Sequence, residues 1–533
     1  MRACRAQHLR VGLATLTTMT ALATGAACAA DDESTATTTA TTAPTAGATT
    51  TTPTATTTST TTTATTTAAT TTTSTTTTST TTTVPALLAD PAGFARPWGS
   101  AVQGLLTFRG NPTRSFMGTG PLPRTRPEVL WRYPPDGRAM CAESSEYGEI
   151  RTWCGTGWTG QPAVFERDGR TWVVFGAYDR AVHFVDAATG LDILPPFPTG
   201  DLAKGTVTVD PDGYPLVYAG SRDNRLRIIA IDGPAPRELW SLDGRTADRR
   251  WNDDWDAAPL VVGGHLIEGG ENSWFVGYEL HRGYGADGLV TVAPEPAFRV
   301  PGFDDELLSA VGDNRVSLES SVSMSGDIAY LNSSGGLLQG WDLTPLRTGE
   351  GQVTRVFRFW TGDDGDATVV TDDGGYLYVG VEVDRDTARG RELGQMLKVD
   401  PRLDDPVVWS VDVHGGPDTG TWSTPAVVGD LVVWPTKPGT VYGLDRATGE
   451  IRWTLDLPWG MLSSPAVVDG VLVVGDAGGV LHAYDLGGGG GAPVELWRVE
   501  LGGNIESTPA VWQGRVYVGT RGGFVYAVGE NTP

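Results

Sequence analysis

The last third of the chain repeats one pattern of apolar and polar positions. Each copy opens on Ser or Thr, Pro and Ala, continues into apolar residues, and passes through a glycine turn into a β-rich run. A further turn and a third strand follow, and in the first two copies a fourth strand carries Trp453 or Trp497. These two residues and Trp409 stand 44 residues apart. Four short strands in a repeat of about 45 residues predict the blades of a β-propeller. The three clear copies begin at 423–428, 463–468 and 507–512.

Weaker copies of the pattern fill the middle of the chain, with first strands predicted at 161–165, 205–209, 257–261, 320–324 and 367–371. The last repeat ends at Pro533 before its fourth strand, and a strand-like segment, Glu128–Arg132, precedes the first repeat. We therefore predict an all-β, eight-bladed propeller of four-stranded blades in which this N-terminal strand completes the last blade, because closure removes exposed strand edges. An open arrangement of seven blades with an edge domain is the alternative.

The turn before the fourth strand has a recognisable signature. Asp445–Trp453 reads DRATGEIRW, and Asp186–Gly190 repeats its core as DAATG. Over residues 124–533 the chain resembles the quinoprotein-type eight-bladed propellers. They include the pyrroloquinoline-quinone (PQQ) dehydrogenases and the non-enzymatic propeller lipoprotein of the outer-membrane β-barrel assembly machinery. The resemblance implies the fold, and it implies that a repeated outer-strand tryptophan packs one blade on the next. That position holds Trp240, Trp409, Trp453 and Trp497.

The first 28 residues have the features of an export signal. Three arginines precede a short apolar run at 11–23, and small residues then lead to Cys28. The run is too short to span a bilayer, which takes about 20 apolar residues. Cys28 is a candidate lipidation site of the bacterial lipoprotein kind, although Gly25 stands where that signal usually has Leu. Lipidation predicts anchoring at the outer face of the bacterial cytoplasmic membrane, and ordinary cleavage after Ala29 is the alternative.

A tract of Thr, Ala, Ser and Pro separates the signal from the repeats. Residues 34–89 contain no charged residue and lack the apolar groups that form a core, so we predict a Thr-rich disordered linker over 29–89. A linker of this length lifts a domain away from a membrane. Residues 90–123 form a lead-in segment, and the propeller domain is predicted over 124–533.

Charge and cysteine content narrow the environment and the partners. The formal net charge is −24, which repels phosphate backbones and argues against nucleic-acid binding. Cys4 and Cys28 fall in the signal segment, which leaves Cys141 and Cys154. In an exported chain this pair predicts a disulfide that holds a Gly-rich loop, and two free thiols are the alternative. A monomer is expected.

The register of the repeats predicts a funnel on one face of the ring. In a propeller, the loop that leads into each first strand and the turn between the second and third strands lie on the same face. The positions just before the first strands are Thr159, Lys204, Asp256, Glu319, Asp366, Trp422, Leu462 and Glu506, and other loops on that face add Trp158, Glu271, Asn272 and Asn332. The candidate ligand-binding residues are Trp158, Lys204, Asp256, Glu319, Asp366, Trp422 and Glu506.

Carboxylates that converge in a narrow channel need compensation, because like charges raise one another's pKa unless a cation neutralises them. A cluster of Asp, Glu and Asn oxygens suits Ca²⁺, and aromatic faces beside it suit a flat or sugar-like ligand. The candidate calcium ligands are Asp256, Glu271, Asn272, Glu319 and Asn332. In the alternative interpretation the acidic groups are solvated or pair with Lys204 and nearby arginines, and the tryptophans pack the loops.

Standard catalytic signatures are absent from the sequence, and no catalytic residue is assigned. Gly155, Gly157 and Gly160 match a dinucleotide-binding spacing, but they open a strand instead of a helix. The quinone dehydrogenases of the resembling family use two adjacent cysteines beneath the cofactor. This chain has no adjacent cysteines, which disfavours PQQ as a cofactor.

The predicted function is an exported, lipid-anchored, non-enzymatic binding or scaffold module at the cell surface. Its expected partner is a cell-surface protein or a glycan, and its membrane contact is made through the lipid anchor only. Two alternatives stay open. One is a PQQ- and Ca²⁺-dependent oxidoreductase with the cofactor in the funnel, and the other is a carbohydrate-binding module.

Overall fold

Eight antiparallel sheets surround a central channel in the computed structural model, which describes residues 86–99, 101–146, 148–488 and 491–531. The prediction of an eight-bladed propeller with four-stranded blades is confirmed. The predicted signal segment with Cys28, and the linker as far as residue 85, lie outside the described residues. At the end of the predicted linker, Ala89 is buried and exchanges two backbone hydrogen bonds with Gly326.

The strands of each blade are given from the channel outward. Blade 1 consists of Ala163–Arg167, Arg170–Ala177, Ala181–Asp186 and Asp192–Pro198, and blade 2 of Thr208–Val209, Leu216–Ser221, Arg225–Ala230 and Arg237–Asp243. Blade 3 consists of Leu260–Val262, His265–Gly269, Trp274–Glu279 and Glu295–Pro301, and blade 4 of Ser323–Ser325, Ile328–Leu331, Leu337–Asp342 and Thr354–Trp360.

The second half of the ring follows the same order. Blade 5 consists of Val370–Thr371, Leu377–Gly380, Met396–Val399 and Val407–Val411, and blade 6 of Ala426–Val428, Leu431–Pro435, Thr440–Asp445 and Ile451–Asp456. Blade 7 consists of Ala466–Val468, Val471–Gly475, Val480–Asp485 and Val494–Glu500, and blade 8 of Ala510–Trp512, Arg515–Thr520, Phe524–Gly529 and Glu128–Tyr133.

Short helices and hairpins decorate the blades. The helices are Asp305–Val311, Thr344–Thr348 and Ala388–Leu393, with a 3₁₀ turn at Pro91–Gly93. Three two-stranded sheets pair Cys141–Glu146 with Glu149–Cys154, Gly283–Tyr284 with Val290–Thr291, and Glu382–Val383 with Thr419–Gly420. Within the part of the chain that the structure describes, none of the helices has the length and apolar character that crossing a membrane requires.

The N-terminal strand closes the ring as predicted. Glu128–Tyr133 pairs antiparallel with Phe524–Gly529 and thereby supplies the outer strand of blade 8. The first and last strands of the propeller therefore share one sheet, and no blade is left with three strands.

The Ser/Thr-Pro-Ala motif links neighbouring blades around the channel. A hydroxyl two positions before each of several inner strands accepts a hydrogen bond from the backbone N–H at the same position of the preceding blade. The five N–H···O pairs are Gln161 to Thr206, Ala258 to Ser321, Ser321 to Thr368, Thr368 to Thr424, and Thr424 to Ser464, at 2.7–3.1 Å. The repeated hydroxyl thus satisfies a buried donor that would otherwise be unpaired.

The middle of the lead-in segment lies inside the channel. Gly104–Leu105 adds a fifth strand beside the inner strand of blade 1. Beyond it the fully buried guanidinium of Arg109 donates to the carbonyl oxygens of Thr424 (2.5 Å), Pro425 (2.8 Å) and Pro465 (2.6 Å). One segment therefore contacts blades 1, 6 and 7.

Arg114 completes this plug on the opposite side. It is fully buried and donates to the carbonyl oxygens of Val322 (2.7 Å) and Ala258 (3.2 Å), which belong to blades 4 and 3. We call residues 104–117 the plug. Because it fills the channel, the funnel on one face of the ring has a floor, to which Phe108 contributes.

Candidate functional site

The loops that lead into the inner strands bring the predicted positions to one face. Each lies four residues before the first residue of its inner strand: Thr159, Lys204, Asp256, Glu319, Asp366, Trp422, Leu462 and Glu506. The structure therefore places them at equivalent heights around the funnel. The ion pairs and hydrogen bonds of each side chain decide which of them come into contact.

Five of the candidate residues line one small cavity at the bottom of the funnel. This inner cavity has a volume of about 10 Å³, room for a single water-sized group. Its walls include Trp158, Asp256, Glu319, Asp366 and Trp422, and the plug residue Phe108 lies beneath them. The two indoles meet edge to face, with ring centroids 4.8 Å apart.

A larger cavity of about 360 Å³ opens above the inner one. The two share Trp158 and Glu319 as walls. The remaining walls of the outer cavity include Lys204, Arg222, Trp251, Asn252, Asp254 and Glu271, with Ser145 and Gly148 at its rim. The outer cavity thus combines carboxylates, two cations and indoles around a space large enough for a small organic group.

Lys204 lies at the centre of the acidic wall. Its ammonium forms an ion pair with Asp256, lies 3.7 Å from Glu271 Oε1, and stands 4.2 Å above the ring of Trp158. Burial lowers the pKa of Lys204, but the charges of Asp256 and Glu271 outweigh burial and raise it above the usual lysine value. The ammonium therefore stays protonated and neutralises part of the acidic wall.

A second buried pair stands beside it. Arg222 Nε lies 3.2 Å from Asp254 Oδ2, and Asn252 donates a 2.9 Å hydrogen bond to Glu271. Burial is the main cause that raises the pKa of Asp254 to about 7, with Asp256 adding to the effect. Burial and the Asp256 charge also raise the pKa of Glu271 well above its usual range. Both carboxyl groups therefore take up protons more readily than solvated ones.

A second lysine repeats this arrangement across the funnel. Lys437 Nζ lies 2.7 Å from Glu382 and 2.7 Å from Asp418, and 5.6 Å from the ring centroid of Trp422. Burial opposes the charge of Lys437, but Glu382 and Asp418 raise its pKa above the usual value. An ammonium held by carboxylates against an indole therefore occurs twice in the funnel.

Glu319 and Asp366 differ from these groups. Among the described residues, no Lys or Arg nitrogen lies within 4.0 Å of either carboxylate. Hydroxyl groups donate hydrogen bonds to them instead. Ser334 Oγ donates to Asp366 (2.8 Å) and lies 3.3 Å from Glu319. Glu319 also accepts a hydrogen bond from Ser317 Oγ (2.6 Å). Burial first, and neighbouring carboxylates second, raise the pKa of both groups well above the usual range.

Glu506 stands on the blade-8 side of the funnel, outside the inner cavity. It pairs with Arg521 at 3.1 Å and accepts a 3.4 Å hydrogen bond from the backbone N–H of Trp158. Gly157 leaves room for this contact, because a Cβ there would lie 2.3 Å from Glu506 Oε2. Gly155 and Gly157 thus allow close packing against the blade-8 side, and Gly160 allows close packing against the backbone of Lys204 before blade 2.

The two asparagines predicted as calcium ligands have structural partners. Asn272 accepts a hydrogen bond from the N–H of Trp274 (3.1 Å) and donates to the carbonyl of Gly244 (2.7 Å). Asn332 is fully buried, and its Oδ1 accepts a 3.1 Å hydrogen bond from the N–H of Ser333. Neither residue lines the two cavities.

Among the described residues, the oxygens placed to share a metal ion belong to Asp254, Asp256 and Glu271, one atom of each lying within 4.8 Å of the others. Lys204 already places its ammonium among them. A Ca²⁺ ion there would have to displace an ammonium that carries the same sign of charge, so these residues fit a resident divalent ion poorly. They also fit PQQ poorly, because the two cavities hold an excess of carboxylates against the three carboxylates of that cofactor.

A disulfide-linked hairpin forms part of the rim. Cys141 and Cys154 are bonded, which confirms the predicted pairing, but they join the two strands of a β-hairpin instead of a Gly-rich loop. Arg222 donates to the carbonyl of Ser145 (2.9 Å), and Arg521 donates to that of Cys154 (3.1 Å). The arginines of the funnel therefore also fasten the hairpin over the cavity.

Several residues of the funnel were missed at the sequence level. Arg222, Lys437 and Arg521 lie in turns between the second and third strands of their blades, the turns that the register assigns to the funnel face. The predicted topology could have found them. Phe108 carried no such signal, because the plug has no counterpart in the repeats.

The fold is an eight-bladed β-propeller with a funnel of charged and aromatic side chains on one face. Residues 394–490 match the family model described as outer membrane protein assembly factor BamB. This stretch contains blade 6 with its DRATGEIRW segment. The resemblance drawn from that segment is thereby confirmed.

Solved structures that are similar to this chain share little sequence identity with it. Quinohemoprotein alcohol dehydrogenase ADHIIG from Pseudomonas putida is 13% identical, with a TM-score of 0.54 over 81% of this chain and 82% of that chain. BamB from Moraxella catarrhalis is 13% identical, with a TM-score of 0.37 over 77% of this chain and 98% of that chain. None of the curated protein sequences matches the chain. Likeness at this identity shows the fold alone.

Proposed function

We propose that the protein is an exported, non-enzymatic binding module whose ligand or partner group enters the funnel. The observation that carries this proposal is the outer cavity of about 360 Å³, whose wall includes the paired groups Lys204, Glu271, Arg222 and Asp254. The plug residue Phe108 lies in the wall of the inner cavity, which shares Trp158 and Glu319 with the outer one. A cavity of this form is the usual place for a small ligand or for a side chain of a partner.

The state of the charged groups favours binding over catalysis. A catalytic lysine needs a lowered pKa, whereas neighbouring carboxylates raise the pKa of Lys204. Asp254 and Glu271 lie against Arg222, Lys204 and Asn252, which fix their positions. These groups can orient and neutralise a ligand without exchanging atoms with it.

Export and anchoring belong to the same proposal. The signal-like residues 1–28, the candidate lipidation site Cys28 and the Thr-rich tract suit a lipoprotein held at the outer face of the bacterial cytoplasmic membrane. The Cys141–Cys154 disulfide suits an oxidising compartment. The match to an assembly-factor family model favours a protein partner over a free glycan.

A rim variant tests the proposal. Ser145 is exposed and borders the outer cavity, so Ser145→Trp should fill the mouth of the funnel without disturbing the core. Val408→Trp, on the exposed outer strand of blade 5, is the matched control. Binding of the purified full-length protein to washed cell envelopes should weaken at least about tenfold for the rim variant alone.

Two further treatments identify the partner class. Protease digestion of the envelopes should abolish binding, and glycosidase digestion should leave it intact. Equal binding by the wild type and Ser145→Trp would overturn the funnel as the binding site. Reduction of an artificial electron acceptor that depends on added PQQ and Ca²⁺ would overturn the non-enzymatic proposal.

A further inference from the structure

The funnel repeats one arrangement of side chains and leaves one copy incomplete. In the first copy, Lys204 joins Asp256 and Glu271 and lies over the ring of Trp158. In the second copy, described above, a lysine joins two carboxylates beside the ring of Trp422. In both copies a primary ammonium of the chain neutralises two carboxylates and contacts an indole, which attracts a cation by its electron-rich face.

The third pair of carboxylates has no such lysine. Glu319 and Asp366 come close enough for one hydroxyl, that of Ser334, to contact both. Arg385 stands 4.0 Å from the neighbouring Asp364 and donates to the backbone carbonyl of Ser334. The charge of Lys204 acts on Glu319 only from a distance, through the acidic wall.

The incomplete pair lines a space of the right kind. Glu319 and Asp366 face the inner cavity together with Trp158 and Trp422, the same indoles that the two lysines use. The cavity therefore offers the carboxylates and the aromatic walls of the two completed copies, and it lacks their ammonium group.

We propose that the funnel binds a ligand through a primary alkylammonium group, which enters the inner cavity and pairs with Glu319 and Asp366 between the two indoles. This inference rests on the proposed function, in which the funnel is the binding site. The ligand is either a free alkylamine or the lysine side chain of a partner protein, since both present the same group.

Size makes the recognition selective. The inner cavity of about 10 Å³ accepts a group the size of one water molecule, which matches an ammonium head. A guanidinium or a trimethylammonium group is too large for it. The alkyl chain or peptide that carries the ammonium would occupy the outer cavity of about 360 Å³.

The carboxylates of the inner cavity also favour an ammonium group as the ligand. An ammonium has three N–H donors and no acceptor, and Glu319 and Asp366 offer acceptor oxygens that lack a cationic partner among the described residues. Burial first, and neighbouring carboxylates second, disfavour the ionised form of each carboxyl group and raise its pKa. A bound cation would shift both groups towards ionisation.

Calorimetric titration of the full-length protein tests the inference with defined probes. Cadaverine and Nα-acetyl-lysine amide, whose side-chain ammonium is free, should bind saturably. Nα-acetyl-arginine amide and tetramethylammonium should not. Tighter binding of the lysine amide than of the diamine indicates a protein partner, and the reverse order indicates a free amine. K⁺ at matched ionic strength should not compete.

Charge-removing variants give the matched comparison. Glu319→Gln and Asp366→Asn should each weaken amine binding by about tenfold or more, whereas Asp418→Asn, whose carboxylate is exposed and already paired with a lysine, should change it less than about twofold. Thermal melting checks folding, and Glu319→Gln should melt no lower than the wild type because it removes a buried charge.

Three outcomes would overturn the inference: no saturable amine binding, undiminished amine binding by Glu319→Gln, or equal competition by K⁺. The proposed function fails differently, through unchanged envelope binding by Ser145→Trp. If Ser145→Trp loses envelope binding while Glu319→Gln keeps it, the funnel remains the binding site and the ammonium inference is wrong.

Discussion

Trp131 Nε1 donates a 2.9 Å hydrogen bond to the carbonyl oxygen of Ala187. Trp131 belongs to the N-terminal strand that completes blade 8, and Ala187 lies in the turn before the outer strand of blade 1. The bond therefore spans the junction at which the ring closes.

The same bond recurs elsewhere in the ring and explains the repeated motif. Trp409 of blade 5 donates to the carbonyl of Arg446 in blade 6 at 3.2 Å. In the two matching turns, a Cβ at Gly190 or Gly449 would lie within 2.8 Å of the tryptophan ring of the preceding blade. The outer-strand tryptophan of one blade thus packs on the DxATG turn of the next blade.

Removing Trp131 should open the ring. Trp131→Ala loses the hydrogen bond and much of the contact between blades 8 and 1, and we expect a loss of about 3 kcal/mol in the free energy of unfolding. Trp459→Ala is the control, because that indole is 58% exposed. Urea denaturation followed by tryptophan fluorescence measures both variants, and equal stability of the two would contradict ring closure through this contact.

The plug should be essential for stability. Arg109→Met keeps most of the side-chain volume but leaves the carbonyls of Thr424, Pro425 and Pro465 without their donor. We expect a loss of about 3 kcal/mol, the usual range for hydrogen bonds from a charged group. Arg138→Met, on a side chain that is 90% exposed, should have no effect. Differential scanning calorimetry gives the comparison, and an unchanged melting temperature for Arg109→Met would show that the plug does not brace the ring.

Calcium should stabilise the protein only when Lys204 is removed. In the wild type the ammonium of Lys204 stands among Asp256 and Glu271, so we expect equal melting temperatures in millimolar Ca²⁺ and in Na⁺ at matched ionic strength. In Lys204→Met the carboxylates lose this cation, and Ca²⁺ should raise the melting temperature by mass action. A rise specific to Ca²⁺ in the wild type would restore the calcium site predicted from the sequence.

Stability should fall as the pH rises through neutrality. Asp254, Glu271, Glu319 and Asp366 have raised pKa values, so the folded state binds more protons than the unfolded state between about pH 4.5 and the folded-state values. With this sign, the melting temperature should be higher at pH 5.5 than at pH 8.

Stronger acid should reverse this trend. Hydrogen bonds from Arg245 lower the pKa of Asp243 to about 2, so protonation of that carboxylate and others like it removes stability below about pH 4. Glu319→Gln should flatten the slope between pH 5.5 and 8, and Asp418→Asn should not. A melting temperature that rises steadily from pH 5.5 to 8 would contradict the burial of uncompensated carboxylates.

The eight-bladed architecture could be predicted from the sequence because each repeat contains the motifs that define one blade. The tryptophan spacing, the Ser/Thr-Pro-Ala motif and the DxATG turn each occur within one blade and recur in the next. The truncated last repeat, with Glu128–Arg132 left over at the other end, was enough to predict closure. The five weaker inner strands were also located, although each begins two or three residues later than predicted.

The funnel face could be predicted for the same reason, but the pairing within it could not. Register places Lys204 and Asp256 on one face, yet the side chains that neutralise a carboxylate come from adjacent blades and turns. Asp256 pairs with a lysine whereas Glu319 has none, and their spacing from the inner strands is identical. Only the three-dimensional structure shows which carboxylate has a cationic partner and which has none.

The position of the plug makes the order of folding unusual. Arg109 donates a hydrogen bond to the carbonyl of Pro465, which lies 356 residues later in the chain. The N-terminal strand Glu128–Tyr133 pairs with Phe524–Gly529, the last strand of the propeller. Contacts of such separation slow folding, because the chain must close long loops before it gains them. During synthesis, Arg109 is made before blades 6 and 7, so its contacts with them form only after those blades are complete. Glu128–Tyr133 must therefore wait unpaired until the last blade is made, and an unpaired strand in that interval is open to proteases and to chaperones.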